Sequence, residues 1–127
     1  MYRQNMVSDG ATATAGVTLR FGMVCRLRPE KREEYLELHR NVWPGVEATI
    51  TECGVRNFTI FVRGDVLFGY FEYVGDDYEA DQAKMALDPV TQEWWARTGP
   101  CQLPFDGDEE PGVTASWQML DEAWHQD

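Results

Sequence analysis

An α+β domain is what this 127-residue sequence predicts, on three observations. Segments of period-2 hydrophobicity alternate along the chain with segments of helical period. Proline, aspartate and glycine stand where one period gives way to the other. Apolar residues make up 43% and aromatic residues 13%, which is enough for a packed core and unlike a disordered chain. The length suits one domain, expected over residues 17–127, after a flexible leader of small and polar residues over 1–16.

The first strand is read from Val17 to Leu27, with Leu19, Phe21, Met23, Cys25 and Leu27 on one face. Pro29 then opens a helix, a position where its missing N–H costs nothing, and Glu30, Glu33 and Glu34 favour the positive end of the dipole. Tyr35, Leu38, Val42, Trp43, Val46 and Ile50 continue its apolar face to about Cys53, and Gly54 is a natural C-terminal stop. Pro44 lies inside this segment, so a kink or break is expected near Trp43. Val55–Val62 and Val66–Val74 read as a hairpin closed by Arg63-Gly64-Asp65. A helix follows from about Asp76 to Leu87, with Asp76 or Asp77 as its cap. Asp88-Pro89 restarts a helix that runs through Trp94 and Trp95 to Gly99. Residues 100–112 hold three prolines, two glycines and four acids and read as a loop; Val113 to about Trp124 reads as the last strand. The order β-α-β-β-α-β is the split βαβ, or ferredoxin-like, arrangement: a four-stranded antiparallel sheet with helices on one face. The other face then needs a cover, and pairing of two copies is the simple physical solution.

Charge narrows the range of partners. Residues 1–75 carry nine basic and nine acidic side chains, so the whole net charge of −11 comes from residues 76–127. That half repels a phosphate backbone, which argues against nucleic acid and anionic membranes as partners. No apolar run approaches the roughly 18 residues of a membrane span, and the first residues lack the apolar core of a signal peptide. A cytoplasmic protein is expected. Cys25, Cys53 and Cys101 have neither CxxC nor metal-ligand spacing and read as reduced, buried thiols.

His39 is the informative residue for chemistry. It stands four residues after Tyr35 and four before Trp43, so a helix would stack the three along one stripe. An imidazole, with a reference pKa of about 6.5, suits acid/base work near neutral pH. A core histidine satisfied by local hydrogen bonds has the same spacing. Tyr35 offers a hydroxyl one turn away, or a core ring with its tip at the surface. Trp94 and Trp95 point about 100° apart on a helix, so one packs inward while the other can face a cavity; indole faces suit the C–H faces of a sugar and also simply bury area. Trp43 beside Pro44 reads as packing at the break. Glu72 is the one acid in a mostly apolar strand and is placed facing solvent.

The stretch PEKREEYLELHRNVWPGVEATITECGVRNFTIFVRGDVLFGYFE, Pro29–Glu72, resembles the L-rhamnose mutarotase family. It carries Y-x-x-x-H, then W-P, then G-x-x-N-[aromatic]-x-I and a strand beginning L-F. The Trp94-Trp95 pair and the ending Glu122-Ala-Trp-His125 extend the likeness over most of residues 18–125. The resemblance implies a ferredoxin-like fold of the dimeric α+β barrel type, paired into a homodimer through its sheet. It implies an isomerase that interconverts the α and β anomers of a 6-deoxy-hexose, L-rhamnose or L-fucose, without cofactor or metal. By position it makes His39 and Tyr35 catalytic and puts Trp94, Trp95, Asn57 and Phe58 in the sugar site. Phe58 stands where the family usually has tyrosine, Gly45 where W-P usually continues with glutamate, and Ala123 and Trp124 where valine and phenylalanine are usual. The acidic loop before the last strand is also longer than the family's. Losing one hydroxyl contact changes which sugar a site prefers. Two other readings stay open: a cofactor-independent monooxygenase of the same fold, and a non-catalytic sugar-binding module.

Overall fold

The computed structural model describes residues 17–107 and 116–127, so the expected leader lies outside the described residues. Strand β1 is Leu19–Leu27; α1, Arg32–Leu38, and α2, Pro44–Glu52, follow; β2, Val55–Arg63, and β3, Val66–Tyr73, form the hairpin; α3, Tyr78–Ala86, and α4, Pro89–Thr98, lead to two short strands, β4, Gln102–Leu103, and β5, Gln118–Leu120. The sheet order is β2-β3-β1-β4 with β5 also on β1, and every pairing is antiparallel. This is the expected ferredoxin-like sheet.

Its register separates two faces. On one face Phe21, Met23, Cys25 and Leu27 of β1 sit beside Phe71, Gly69 and Leu67 of β3, and the row continues to Ile60 and Val62 of β2. The helices cover this face, and the core divides over it into two clusters. Phe21, Met23, Cys53, Val55, Phe71, Tyr73, Tyr78 and Met85 form one, and Cys25, Leu27, Tyr35, Leu67 and Cys101 the other. Met23 and Trp117 lie close over Gly69, where a Cβ would stand 2.9 Å from Met23 Cε and 3.4 Å from Trp117. The bare backbone at Gly69 is what lets both side chains settle on the sheet.

Two expectations are corrected. The first helix opens at Arg32 rather than Pro29 and stops at Leu38, while near Trp43 the chain takes the break, not the kink, of the two expected. Pro29–Lys31 and His39–Asn41 are single 3₁₀ turns, and Val42 and Trp43 are extended. The break at Trp43 follows from Pro44, whose ring drives the preceding residue out of the helical region, here to φ −62 and ψ 133. At His39 the backbone N–H still makes the helical bond to the Tyr35 carbonyl, the ring Nδ1 shares that acceptor, and a 3₁₀ turn follows. The last strand is also different. Only Gln118–Leu120 is extended on β1 in that region, residues 113–115 lie outside the described residues, and the edge position is begun earlier by Gln102–Leu103. One interrupted edge strand thus enters and leaves β1 on either side of the acidic loop.

The other boundaries follow their sequence signals. Asp77 caps α3 by accepting from Ala80 N at 3.1 Å, and Asp88 caps α4 by accepting from Thr91 N at 2.9 Å. Among the described residues no helix is long and apolar enough to cross a membrane. Gly54 turns α2 into β2 at φ +86, and an added Cβ would lie 2.9 Å from Tyr73 Cε1 and 3.2 Å from Gly75 N. Gly54→Ala is expected to destabilise the fold by about 2 kcal/mol through left-handed strain and overpacking. The urea midpoint measures it; an unchanged midpoint would contradict the tight connection.

Candidate active site

Between the two core clusters lies a cavity of about 110 Å³. Its floor is sheet (Met23, Ile60, Phe71) and its walls come from α1, α2, α3 and α4 (Tyr35, Val46, Ile50, Met85, Trp94, Trp95), with Trp117 leaning in from just before β5. The polar lining is short: Tyr35, His39, Gln82, Thr91, Thr98 and Gln102. Among the described residues no carboxylate lines it, although the chain has 22 acidic residues. Proton transfer inside the cavity therefore falls to His39 and the hydroxyls.

His39 is held from three sides. Its Nδ1 lies 2.9 Å from the Tyr35 carbonyl oxygen. A carbonyl only accepts, so Nδ1 carries the proton and the neutral ring presents Nε2 as its lone pair. The imidazole lies 4.2 Å, centroid to centroid, from the Tyr35 ring and meets the edge of Trp94 at 5.2 Å. Burial pushes its pKa below the ordinary value of 6.5, and the hydrogen bond to the Tyr35 carbonyl pulls part of the way back. A neutral base with a fixed tautomer at neutral pH is the result.

The Tyr35 ring is buried, and its hydroxyl oxygen accepts a bond from Gln102 Nε2 at 3.3 Å. Trp94 is buried, Trp95 is half-buried, and both line the cavity, so the adjacent pair does not divide between core and pocket. Trp43 leaves the Tyr35–His39 stripe because its backbone is extended. It packs on Trp94 at 5.1 Å, with the Arg97 guanidinium 5.5 Å from its ring centroid. Phe58 reaches the cavity and meets Phe71 edge-on at 5.8 Å.

Asn57 does not line this cavity, although it lines an adjoining pocket that shares His39, Phe58 and Trp94 with it. A register shift between Arg56 and Thr59 and a φ of 54 at Asn57 turn its side chain away. Its amide donates to Glu72 Oε1 at 2.9 Å, and Tyr70 donates to the second oxygen at 2.8 Å. These two bonds hold the Glu72 carboxyl below the usual carboxylate range, on the sheet face without helices. The thiols are inert at neutral pH: burial pushes Cys25 up to about 12 and raises Cys53 and Cys101 as well. Sequence reasoning missed Gln102, Thr98 and Trp117. Thr98 was legible, since it stands four residues after Trp94 on the buried face of α4 with Thr91, whereas Gln102 and Trp117 belong to no regular helical face and flank the proline-rich acidic loop.

The fold and cavity have counterparts among known proteins. The sequence model of the L-rhamnose mutarotase family matches residues 20–126. An L-rhamnose mutarotase of Oceanobacillus iheyensis is 31% identical over 110 residues, covering 85% of this chain and 98% of that protein. One from Burkholderia ambifaria is 32% identical over 78 residues, covering 61% of this chain and 72% of that one. The crystal structure of an L-rhamnose mutarotase from Formosa agariphila superposes with a TM-score of 0.67 at 19% identity, over 86% of this chain and 99% of that one. Tetracenomycin F2 cyclase from Streptomyces glaucescens, a polyketide cyclase, superposes with a TM-score of 0.57 at 22% identity over the same shares, a likeness of fold.

The environment of His39 makes a prediction that needs no substrate. Followed by ¹⁵N NMR, its ring is expected to titrate below 6.5 and to be protonated at Nδ1 when neutral. A midpoint at or above 6.5, or a proton on Nε2, would contradict the burial and the bond to Tyr35.

Proposed function

Because the chain belongs to the L-rhamnose mutarotase family of anomer-interconverting isomerases, we propose that residues 17–127 form a mutarotase domain for L-rhamnose, with His39 as its general acid/base. The observation that carries the reading is the neutral, tautomer-fixed imidazole on the wall of an apolar, tryptophan-lined cavity that no carboxylate among the described residues lines. Indole faces pack well on the C–H face and methyl group of a 6-deoxy sugar. L-Fucose shares that chemistry and is the second candidate substrate. Phe58, without a hydroxyl at the cavity wall, is proposed to tune the choice between the two.

The reaction needs one proton removed and one supplied. His39 Nε2 takes the proton of the anomeric hydroxyl while a proton reaches the ring oxygen, from the Tyr35 hydroxyl or a water. The bond between the anomeric carbon and the ring oxygen breaks and an aldehyde forms. Rotation about its bond to the neighbouring carbon exposes the other face. Closure then returns both protons, with His39 acting as acid. Assistance of this kind accelerates a step about 10²–10⁴-fold.

Saturation-transfer NMR of L-rhamnose, L-fucose and D-glucose tests the reading. Catalytic amounts of protein are expected to speed anomer exchange of the deoxy sugars. His39→Asn is expected to fold normally and to lose about 10²–10⁴-fold in that rate. Wild-type exchange should also fall on the acid side, through a midpoint below 6.5, as Nε2 takes up a proton. Undiminished exchange in His39→Asn would end the assignment.

Homodimerisation through the sheet is part of the same proposal. The face without helices carries Phe61 paired with Phe68, and Leu120 paired with Gly22, with exposures of 62%, 44% and 45% for the three large side chains. Burying such a row against a second copy removes apolar surface from water. The three free thiols suit a reducing, cytoplasmic setting. In sedimentation the wild type is expected as a dimer and the double variant Phe61→Glu, Phe68→Glu as a monomer. A variant that stays dimeric would remove the sheet from the interface.

A further inference from the structure

Gln102 is a buried side-chain amide without enough partners. It is 4% exposed, placed on the helix-covered face by its pairing with Leu27, and it lines the cavity beside Tyr35. A glutamine amide offers two N–H donors and two acceptor lone pairs. Among the described residues its side chain makes one bond, Nε2 to the Tyr35 hydroxyl oxygen at 3.3 Å, near the long end for an N–H···O contact. Leaving a buried amide so poorly paired is costly. Thr91, by contrast, is satisfied: its hydroxyl and its backbone N–H both donate to Asp88. The carbonyl end of Gln102 belongs to a side chain that lines the same cavity as Tyr35 and His39.

Resting on the mutarotase reading above, we infer that Gln102 is a specificity-determining residue, its Oε1 accepting a hydrogen bond from one secondary ring hydroxyl of the sugar other than the anomeric one. Because Nε2 donates to the Tyr35 oxygen, the phenolic proton points away from Gln102. The amide Oε1 is then the acceptor left for the hydroxylated edge of the sugar, and the methyl group and C–H face go to the tryptophans that line the same cavity. A site built to bond a hydroxyl rejects the analogue that lacks it far more strongly than an apolar pocket rejects a methylene.

The test is a cycle between one variant and four sugars. Gln102→Met keeps the length of the side chain and removes both polar ends. For L-rhamnose it is expected to lower kcat/KM for anomer exchange by roughly 10–100-fold, as for one lost hydrogen bond with a buried partner. On the 2-, 3- and 4-deoxy analogues of L-rhamnose the same substitution should lose that penalty for one analogue and keep it for the other two. An equal penalty on all three, or none on L-rhamnose, overturns the inference while the mutarotase reading stands. If the wild type speeds no sugar, the mutarotase reading fails, and Gln102 is still judged by its own signal. The ¹⁵N–¹H pair of its side-chain amide, assigned in the wild type by its through-space contacts to the Tyr35 ring, is expected to shift when L-rhamnose is added. A resonance that stays fixed at saturating sugar overturns the inference, and this readout holds even should the variant fold poorly.

Discussion

A chain of rings ties the first helix to the fourth: Tyr35 against His39, His39 against the edge of Trp94, Trp94 against Trp43, and the Arg97 guanidinium closing on Trp43. Each such contact contributes on the order of 1 kcal/mol beyond the area it buries. Their combined effect is geometric. α1 stops at Leu38 and the chain runs extended through Val42 and Trp43, so no continuous backbone ladder fixes His39 relative to α4. The rings and the bond from Nδ1 to the Tyr35 carbonyl do so instead. The imidazole keeps one orientation and one tautomer, which a proton-transferring group requires before substrate arrives.

The sheet supplies the other half of the site through its asymmetry. Apolar residues on its covered face bear two clusters, and the cavity opens between them. The interrupted edge strand completes it: Gln102 enters from the first piece and Trp117 from just before the second. A continuous strand would pass from one to the other without the intervening excursion. Split as it is, the edge delivers an amide and an indole to the same cavity.

Charge is managed by exclusion. The carboxylates do structural work outside the cavity: Asp77 and Asp88 cap helices, Asp81 accepts from the Tyr73 hydroxyl, and Glu72 is held on the open face by Asn57 and Tyr70. With none of them lining the cavity, only the Tyr35 carbonyl favours an imidazolium there. Desolvation then dominates His39 and keeps it neutral. This suits a reaction whose substrate carries no charge.

Sequence alone determined the element order, the sheet-facing residues of β1, the helix caps and the break before Pro44. Each of these follows from interactions within a few residues: side-chain alternation, an aspartate reaching the next turn, a proline ring striking the residue before it. It also placed Tyr35, His39, Trp94, Trp95 and Phe58 together, through helical spacing and the family motif, and all five line the cavity. Asn57 belonged to the same motif, yet its amide turns to Glu72 and the residue lines only the adjoining pocket, because the outcome depends on a strand register fixed by the neighbouring strand. The edge strand was read too late and too long, since a two-residue strand carries no period and exists only because β1 offers it partners. Gln102 was invisible for the same reason. A lone glutamine after Gly-Pro-Cys acquires its meaning when pairing with Leu27 buries it beside a tyrosine 67 residues away in the chain. Local physics is written in neighbouring residues, whereas the partners of a buried amide are decided by contacts between distant ones.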